Sequence, residues 1–265
     1  MQLTYGFILA IVIAYLAYRA HSLNKSGAYA AALIGTVIFG LGGWQWAILL
    51  LTFFVTSSGL SRAFKNRKQD LNEKYSKGHE RDAGQVLGNG GLATLFAGLH
   101  IFYPGSLIPW VGFAASLAAV NADTWATELG VLNPTSPRII TDLRKRVEKG
   151  TSGGISLWGT FASLLGSSVI ALLAVLLSPT ENTLTSDHFL LISASGLAGS
   201  LFDSFLGATL QAMYYCPTDK KETEKHPLHT CGTENVHIRG WKWLNNDWVN
   251  FACGAFGVVI AILFI

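Results

Sequence analysis

The run WVGFAASLAAV, residues 110–120, passes without a break into NADTWATELG, residues 121–130. The first stretch carries one hydroxyl and no charge; the second brings two carboxylates, Asp123 and Glu128, to its end. Such a run belongs either to a membrane span or to a large soluble core, and the rest of the chain decides. Half of the 265 residues are hydrophobic and 13% are charged, against about 25% charged in an ordinary soluble domain. Apolar stretches recur at approximately 3–19, 27–42, 44–60, 87–103, 107–123, 155–177, 188–213 and 248–265. Their lengths approach the ~20 helical residues that cross a hydrocarbon core. The pattern predicts an all-α fold: one integral-membrane domain over residues 1–265, a polytopic bundle of about eight transmembrane helices. LGGW at 41–44 joins the second and third stretches, which read as two spans or as one broken element that lowers the count to seven or fewer.

Cations fix the orientation, because Lys and Arg accumulate in cytoplasmic loops. With the N-terminus outside, Arg19 and Lys25 fall in the first inner loop, and Arg62, Lys65, Arg67, Lys68, Lys74, Lys77 and Arg81 in the second. Arg138, Arg144, Lys145, Arg146 and Lys149 occupy the third, and Lys220, Lys221, Lys225, Arg239 and Lys242 the fourth. All 19 basic residues then share one side, both termini face outward, and the long loops and any active face are cytoplasmic. The net charge of +3 follows from loops that face anionic lipid and asks for no nucleic-acid partner. No basic segment or small-residue cleavage pattern accompanies the first stretch, so it reads as an uncleaved helix. With no transit peptide ahead of it, the cytoplasmic membrane of a prokaryote is the expected location. Three cysteines, two of them in an inner loop, argue against a disulfide framework.

Acids are scarce in or beside the spans: Asp123, Glu128, Asp203 and Asp247. Ionisable groups at membrane depth are costly and face a bundle interior or a wet cavity, so each is a functional candidate. In GSLFDSFLGATLQ, 199–211, Asp203, Gly207 and Gln211 recur every four residues and share a helix face. Asn121 and Asp123 lie where the fifth helix can end and unwind. Carboxylates converging there would repel unless a divalent cation such as Mg²⁺ joins them, with phosphate oxygens completing its shell. EKGTSGGIS, 148–156, fits that idea: a Gly-rich turn with Lys149, Thr151, Ser152, Gly153 and Gly154 that leads to a helix start, where backbone amides bind anions. GHERDAGQVLGNGG, 78–91, supplies Arg81, Gln85 and Asn89; WLNNDWVN, 243–250, supplies Asn245, Asn246 and Asp247. Amides and arginine at helix starts suit phosphate or nucleotide recognition. The glycines scattered through the spans fit close helix packing. Separately, CPTDKKETEKHPLHTCG, 216–232, carries Cys216, His226, His229 and Cys231, with His237 beyond. These are zinc-type ligands at no standard finger spacing, and Asp219 stands where a CxxC pair would place its second Cys; a structural Zn²⁺ on Cys216, His229 and Cys231 is the expectation.

Read together, GQVLGNGG, NADTWATELG, KGTSGGISLWGTFAS, GSLFDSFLGATLQ and WLNNDWVN resemble the multi-pass membrane family that contains phytyl-phosphate kinase and animal transmembrane protein 19. The likeness runs from about residue 27 to the C-terminus and matches Asn121, Asp123, Glu128, Gly153, Gly154, Asp203, Gln211, Asn246 and Asp247. It implies phosphoryl transfer from a nucleoside triphosphate to a prenyl monophosphate, giving a prenyl diphosphate. On that reading Asp123 and Asp203 hold Mg²⁺, Glu128 is a further ligand or positions the nucleophile, Lys149 with Thr151–Gly154 holds phosphate, and Arg81 stabilises transferred charge. Two other readings use the same acids: an ion-coupled transporter or lipid flippase, and a cytidylyl or lipid-alcohol transferase.

Overall fold

The computed structural model describes residues 1–64, 80–178 and 184–265, so Lys65, Arg67, Lys68, Lys74 and Lys77 lie outside the described residues. Among the described residues eight α-helices carry the fold: α1 (Gln2–Arg19), α2 (Lys25–Val37), α3 (Trp44–Ala63), α4 (Ala83–Leu99), α5 (Leu107–Gly130), α6 (Leu157–Leu176), α7 (Ser186–Thr209) and α8 (Asn246–Leu263). Six are long and apolar enough to cross a membrane, with α2 counted together with the π-helical turn Ile38–Gly42 that extends it. LGGW therefore separates two spans. Gly43, at φ 91°, takes the left-handed conformation that ends one helix and starts the next, which a side chain rarely adopts.

The helices alternate in direction, as contacts along their lengths show. Gly6 lies against Gly40 and Ala10 against Gly35, so α1 and α2 are antiparallel. Gly27 packs on Arg81 and Gly90 on Ile34, which sets α2 and α4 parallel; Gly88 meets Asp247, which sets α8 alongside α4. Thr56 bonds Asn121 and Ser61 bonds Glu128, so α3 runs with α5. Both termini consequently lie at one end of the bundle. At the other end gather the loops with all the described basic residues, and here Trp158, Trp241, Trp243 and Trp248 are exposed, as in the aromatic belt of a membrane interface.

The stretch 110–130 is the axis of the bundle. Residues 109–122 of α5 are all buried, ringed by α3, α4, α6, α7 and α8. Small residues permit this enclosure: Ala118 and Ala119 meet Gly196 and Gly199 of α7, and Asn121 and Trp125 meet Gly166 of α6. Toward the terminal end, Trp46, Trp110 and Phe113 pack ring on ring at 4.6–5.9 Å, and Trp110 Nε1 donates to the Ala174 carbonyl at 3.0 Å. The helix does not unwind at Asn121 as expected; it continues to Gly130, because Ser61 and the cavity described below satisfy its polar residues.

Two small three-stranded sheets at the basic end were not anticipated. β1 (Arg138–Ile139), β2 (Asp142–Arg146) and β3 (Gly154–Ile155) pair in the order β2-β1-β3; β4 (Met213–Cys216), β5 (Lys221–Thr223) and β6 (Val236–Arg239) pair as β5-β4-β6. Each is a loop between helices folded back on itself.

Candidate functional site

The helix starts at the basic end account for several polar residues. Asn24 accepts from Gly27 N, Ser156 from Gly159 N, and Asn245 from Asp247 N and Trp248 N; Asp82 and Gln85 form a reciprocal capping box. N-capping thus explains more of these clusters than the sequence suggested. Asn245 is spent on its cap and does not line the site. Asp247 sits in the first turn of α8 with its backbone against Gly88 and is likewise absent from the cavity wall. Asn121 is also withdrawn from any ligand: it is fully buried, donates to the Gly166 carbonyl at 2.7 Å and accepts from Thr56 at 3.2 Å, stitching α5 to α6 and α3. For Asn245 and Asn121 the cause is the same, a side-chain amide consumed by a helix start or by helix packing. The start of α6 follows β3 directly; Ser156 caps it, and Ser156, Gly159 and Thr160 line the cavity described next.

The remaining candidates converge. A cavity of about 310 Å³ at the basic end is lined by Arg81, Gln85 and Asn89 from the start of α4, Asp123 and Glu128 from α5, and Asp203 from α7. Lys149, Thr151, Ser152, Gly153 and Gly154 form another wall, with Gln211 and Asn246 beside them. The turn of 149–154 is seated on α7 by glycine geometry: Gly153 has φ 82°, and a side chain there would strike the Ala208 backbone at 2.6 Å. Ser152 donates to Gln211 Oε1 at 2.9 Å, and Gln211 Nε2 donates to Glu224 Oε1 at 2.9 Å, so the buried amide is fixed in one orientation. Glu224, at the end of β5, is a cavity residue that sequence reasoning missed. Only its place in a loop rich in Lys and Thr marked it, and no helical period pointed inward.

The charges are unbalanced on the scale of this small space. Asp123 and Glu224 both stand near enough to Asp203 to repel it, and Asp203 Oδ2 is buried with no hydrogen-bond partner among the described residues. Glu128, 6% exposed, accepts from Ser61 at 2.6 Å. Arg81 faces Glu128; burial lowers its guanidinium to about 10 against that attraction, which leaves it cationic at neutral pH. Ser61→Ala leaves this buried carboxylate short of a donor and should cost about 1–3 kcal/mol, read as a lower melting temperature in detergent.

An orphaned carboxylate oxygen among several acids fits a hard cation, and the donors are all oxygen, which suits Mg²⁺. Such an ion is held by one or two carboxylates with water and phosphate oxygens rather than by a closed protein cage.

A second cavity, about 70 Å³ and almost wholly apolar, runs between α1, α2, α3 and α4 past Ala14, Ala31, Phe39 and Leu51. It ends on Arg81, Gln85 and Asn89, the same three residues that wall the polar cavity. An apolar groove therefore abuts a site for charged groups.

No solved structure matches this chain. Among known proteins it is 32% identical to Protein PGR of Arabidopsis thaliana, over 94% of this chain and 91% of that one. It is 33% identical to an uncharacterized membrane protein of Methanocaldococcus jannaschii, over 80% of this chain and 84% of that one. Protein VTE6, chloroplastic, also of Arabidopsis thaliana, is 28% identical over 91% of this chain and 65% of its own length. The match to the family model covers residues 8–258, nearly the whole bundle just described, and the chain belongs to the integral membrane protein DUF92 family.

Proposed function

We propose that the protein is a prenyl-phosphate kinase-like enzyme, transferring a phosphoryl group from a nucleoside triphosphate to a membrane isoprenoid monophosphate. The observation that carries this reading is the shared wall of Arg81, Gln85 and Asn89, with acids and a Gly-rich turn on one side and an apolar groove on the other. An isoprenoid tail occupies the groove, and its phosphate meets Arg81 at the exposed tryptophan belt. The excess of Lys and Arg at this end supports a cytosolic face, where nucleotide is supplied.

The nucleophile in this reaction is a phosphate oxygen that is already anionic. It attacks the terminal phosphorus of the triphosphate, the bond to the bridging oxygen breaks, and the diphosphate nucleotide leaves with that electron pair. No base is required, and the cavity lining among the described residues contains no histidine. What the site must do is position two anions and neutralise charge. Arg81 and Lys149 supply cations, and Gly153 and Gly154 let backbone approach phosphate closely. Asp123 and Asp203 would hold Mg²⁺, which would offset the charge of the phosphate groups. A flippase reading has less support, because transporter sites favour the midplane, whereas these groups gather at one rim.

The test uses purified protein in detergent with Mg²⁺, prenyl monophosphates of several lengths and labelled CTP or ATP, with lipid products resolved by chromatography. A lipid diphosphate lost on adding EDTA supports the kinase; a nucleotide-linked lipid supports a cytidylyl transferase; uptake into sealed vesicles without nucleotide supports transport. The groove makes its own prediction. Ala31→Phe should raise KM for long prenyl chains about tenfold, ~1.4 kcal/mol, while leaving KM for the nucleotide unchanged.

A further inference from the structure

The loop between α7 and α8 holds a second cluster, separate from the cavity. β4 ends at Cys216; the turn that follows presents Asp219 and passes through Lys220, whose left-handed φ of 53° curls the chain back into β5. After β5 the chain loops over and presents His229 and Cys231, then turns again at Gly232, φ 81°. One Sγ, one carboxylate oxygen, one imidazole nitrogen and a second Sγ all lie within 4.8 Å of one another. The sulfurs are 3.5 Å apart and the cysteines are not bonded. His229 Nδ1 is 2.7 Å from Asp219 Oδ2 and 3.6 Å from Cys231 Sγ. His226 and His237, which the sequence placed nearby, are elsewhere, one stacked on the ring of Tyr214 and the other edge-on to it.

We infer that Cys216, Asp219, His229 and Cys231 form a tetrahedral Zn²⁺ site that pins the β4–β5 hairpin to the loop above it. The sulfur separation fits, since two Zn–S bonds of about 2.3 Å at a tetrahedral angle place the sulfurs ~3.8 Å apart. The donor set fits as well: thiolate and imidazole select zinc over the hard cations, and a single carboxylate is a common fourth ligand. Burial adds to this, because Cys216 and His229 are 0% and 4% exposed in a loop that otherwise shows mostly polar side chains to solvent. The amide of Asp219 points at Cys216 Sγ at 3.4 Å, the kind of contact that steadies a metal-bound thiolate. Thr218 and Thr233 hydrogen-bond at 2.8 Å beside the cluster and hold the two turns together. The sequence expectation of a three-ligand set thus gains Asp219, the residue that interrupts the CxxC spacing.

The site's role is to position. The strand leading to Cys216 begins just after Gln211, and the strand leaving Asp219 runs to Glu224, so the hairpin has zinc at one end and two cavity residues at the other. Arg239 of the same sheet donates to the Gly207 carbonyl of α7 at 3.0 Å and fastens that end to the bundle.

Elemental analysis of detergent-purified protein, expressed with zinc sulfate supplied, tests this without reference to any reaction. About one zinc per chain is expected, falling to none in Cys216→Ser and in Cys231→Ser, and retained in Cys253→Ser, whose thiol is buried in α8. Asp219→Cys should keep the metal and Asp219→Ala should weaken it 10–100-fold. Chelation should expose two thiols to a maleimide and raise amide exchange across residues 213–239, and zinc sulfate should reverse both changes. Metal-free protein with two freely reactive thiols, a Cys216–Cys231 disulfide, iron in place of zinc, or full zinc occupancy in Cys216→Ser would each overturn the assignment.

Discussion

Replacing Asp203 by Asn is expected to lower the proposed lipid diphosphate formation by about 10²–10³-fold while leaving the protein as stable as before or more so. The substitution keeps the shape of the side chain and removes one charge. In the folded protein that charge is repelled by Asp123 and Glu224 and has a buried oxygen with no hydrogen-bond partner among the described residues, so its loss relieves strain in the absence of ligand. The same charge is what a cation bridging two phosphates needs. Loss of one such electrostatic contact costs about 10²–10³ in kcat/KM, ~2.7–4 kcal/mol. Opposite signs for melting temperature and turnover are the expected signature of a group kept for chemistry against stability. An Asp203→Asn protein that melts lower and turns over normally would assign the residue to packing instead. Asp123→Asn should lower turnover by a similar factor.

The second large effect concerns Gly196. A side chain there meets Ser167 Cβ at 2.5 Å and Ala118 at 3.0 Å, so Gly196→Val drives α7 away from α5 and α6 at their closest approach. Overpacking of this kind costs about 1–3 kcal/mol, and the backbone atoms of Ala118 give the site little room to yield. Asp203 lies two turns further along α7, so turnover should fall together with melting temperature. Gly91 and Gly98 of α4 are the controls, because nothing lies within 4 Å of a side chain at either position. Gly91→Ala should change stability by no more than about 0.5 kcal/mol. Melting curves in one detergent separate the two classes of glycine directly.

How far the sequence could be read depended on the kind of signal. Spans were legible because twenty apolar residues have one dominant explanation, and the cations sorted to one end because loops alternate. Asp123 and Asp203 were legible as acids in or beside apolar spans; Gln211 reaches the same cavity from beyond the end of α7, where helical spacing no longer applies. Asn121 and Asn245 were misplaced because an asparagine that caps a helix or staples two helices has the same letters around it as one that binds a ligand. Glu224 was missed because its position follows from a hairpin, and strand pairing in a short polar loop leaves no period to detect. The apolar groove was invisible for a different reason: a lipid-facing helix and a groove-lining helix are equally apolar, and only the gap between α1, α2, α3 and α4 distinguishes them.

The enclosure of α5 bears on how the protein is made. Neither α4 nor α5 is among the six helices long and apolar enough to cross a membrane. The elements that cover α5 on three sides, α6, α7 and α8, are synthesised after it. For the time it takes the ribosome to add more than a hundred residues, the polar end of α5 with Asp123 and Glu128 has only α3 and α4 beside it. Burial of the polar end of α5 is therefore completed by later helix packing, and the order of synthesis brings Asp123 and Glu128 beside Arg81 before Asp203 and the Gly-rich turn join them.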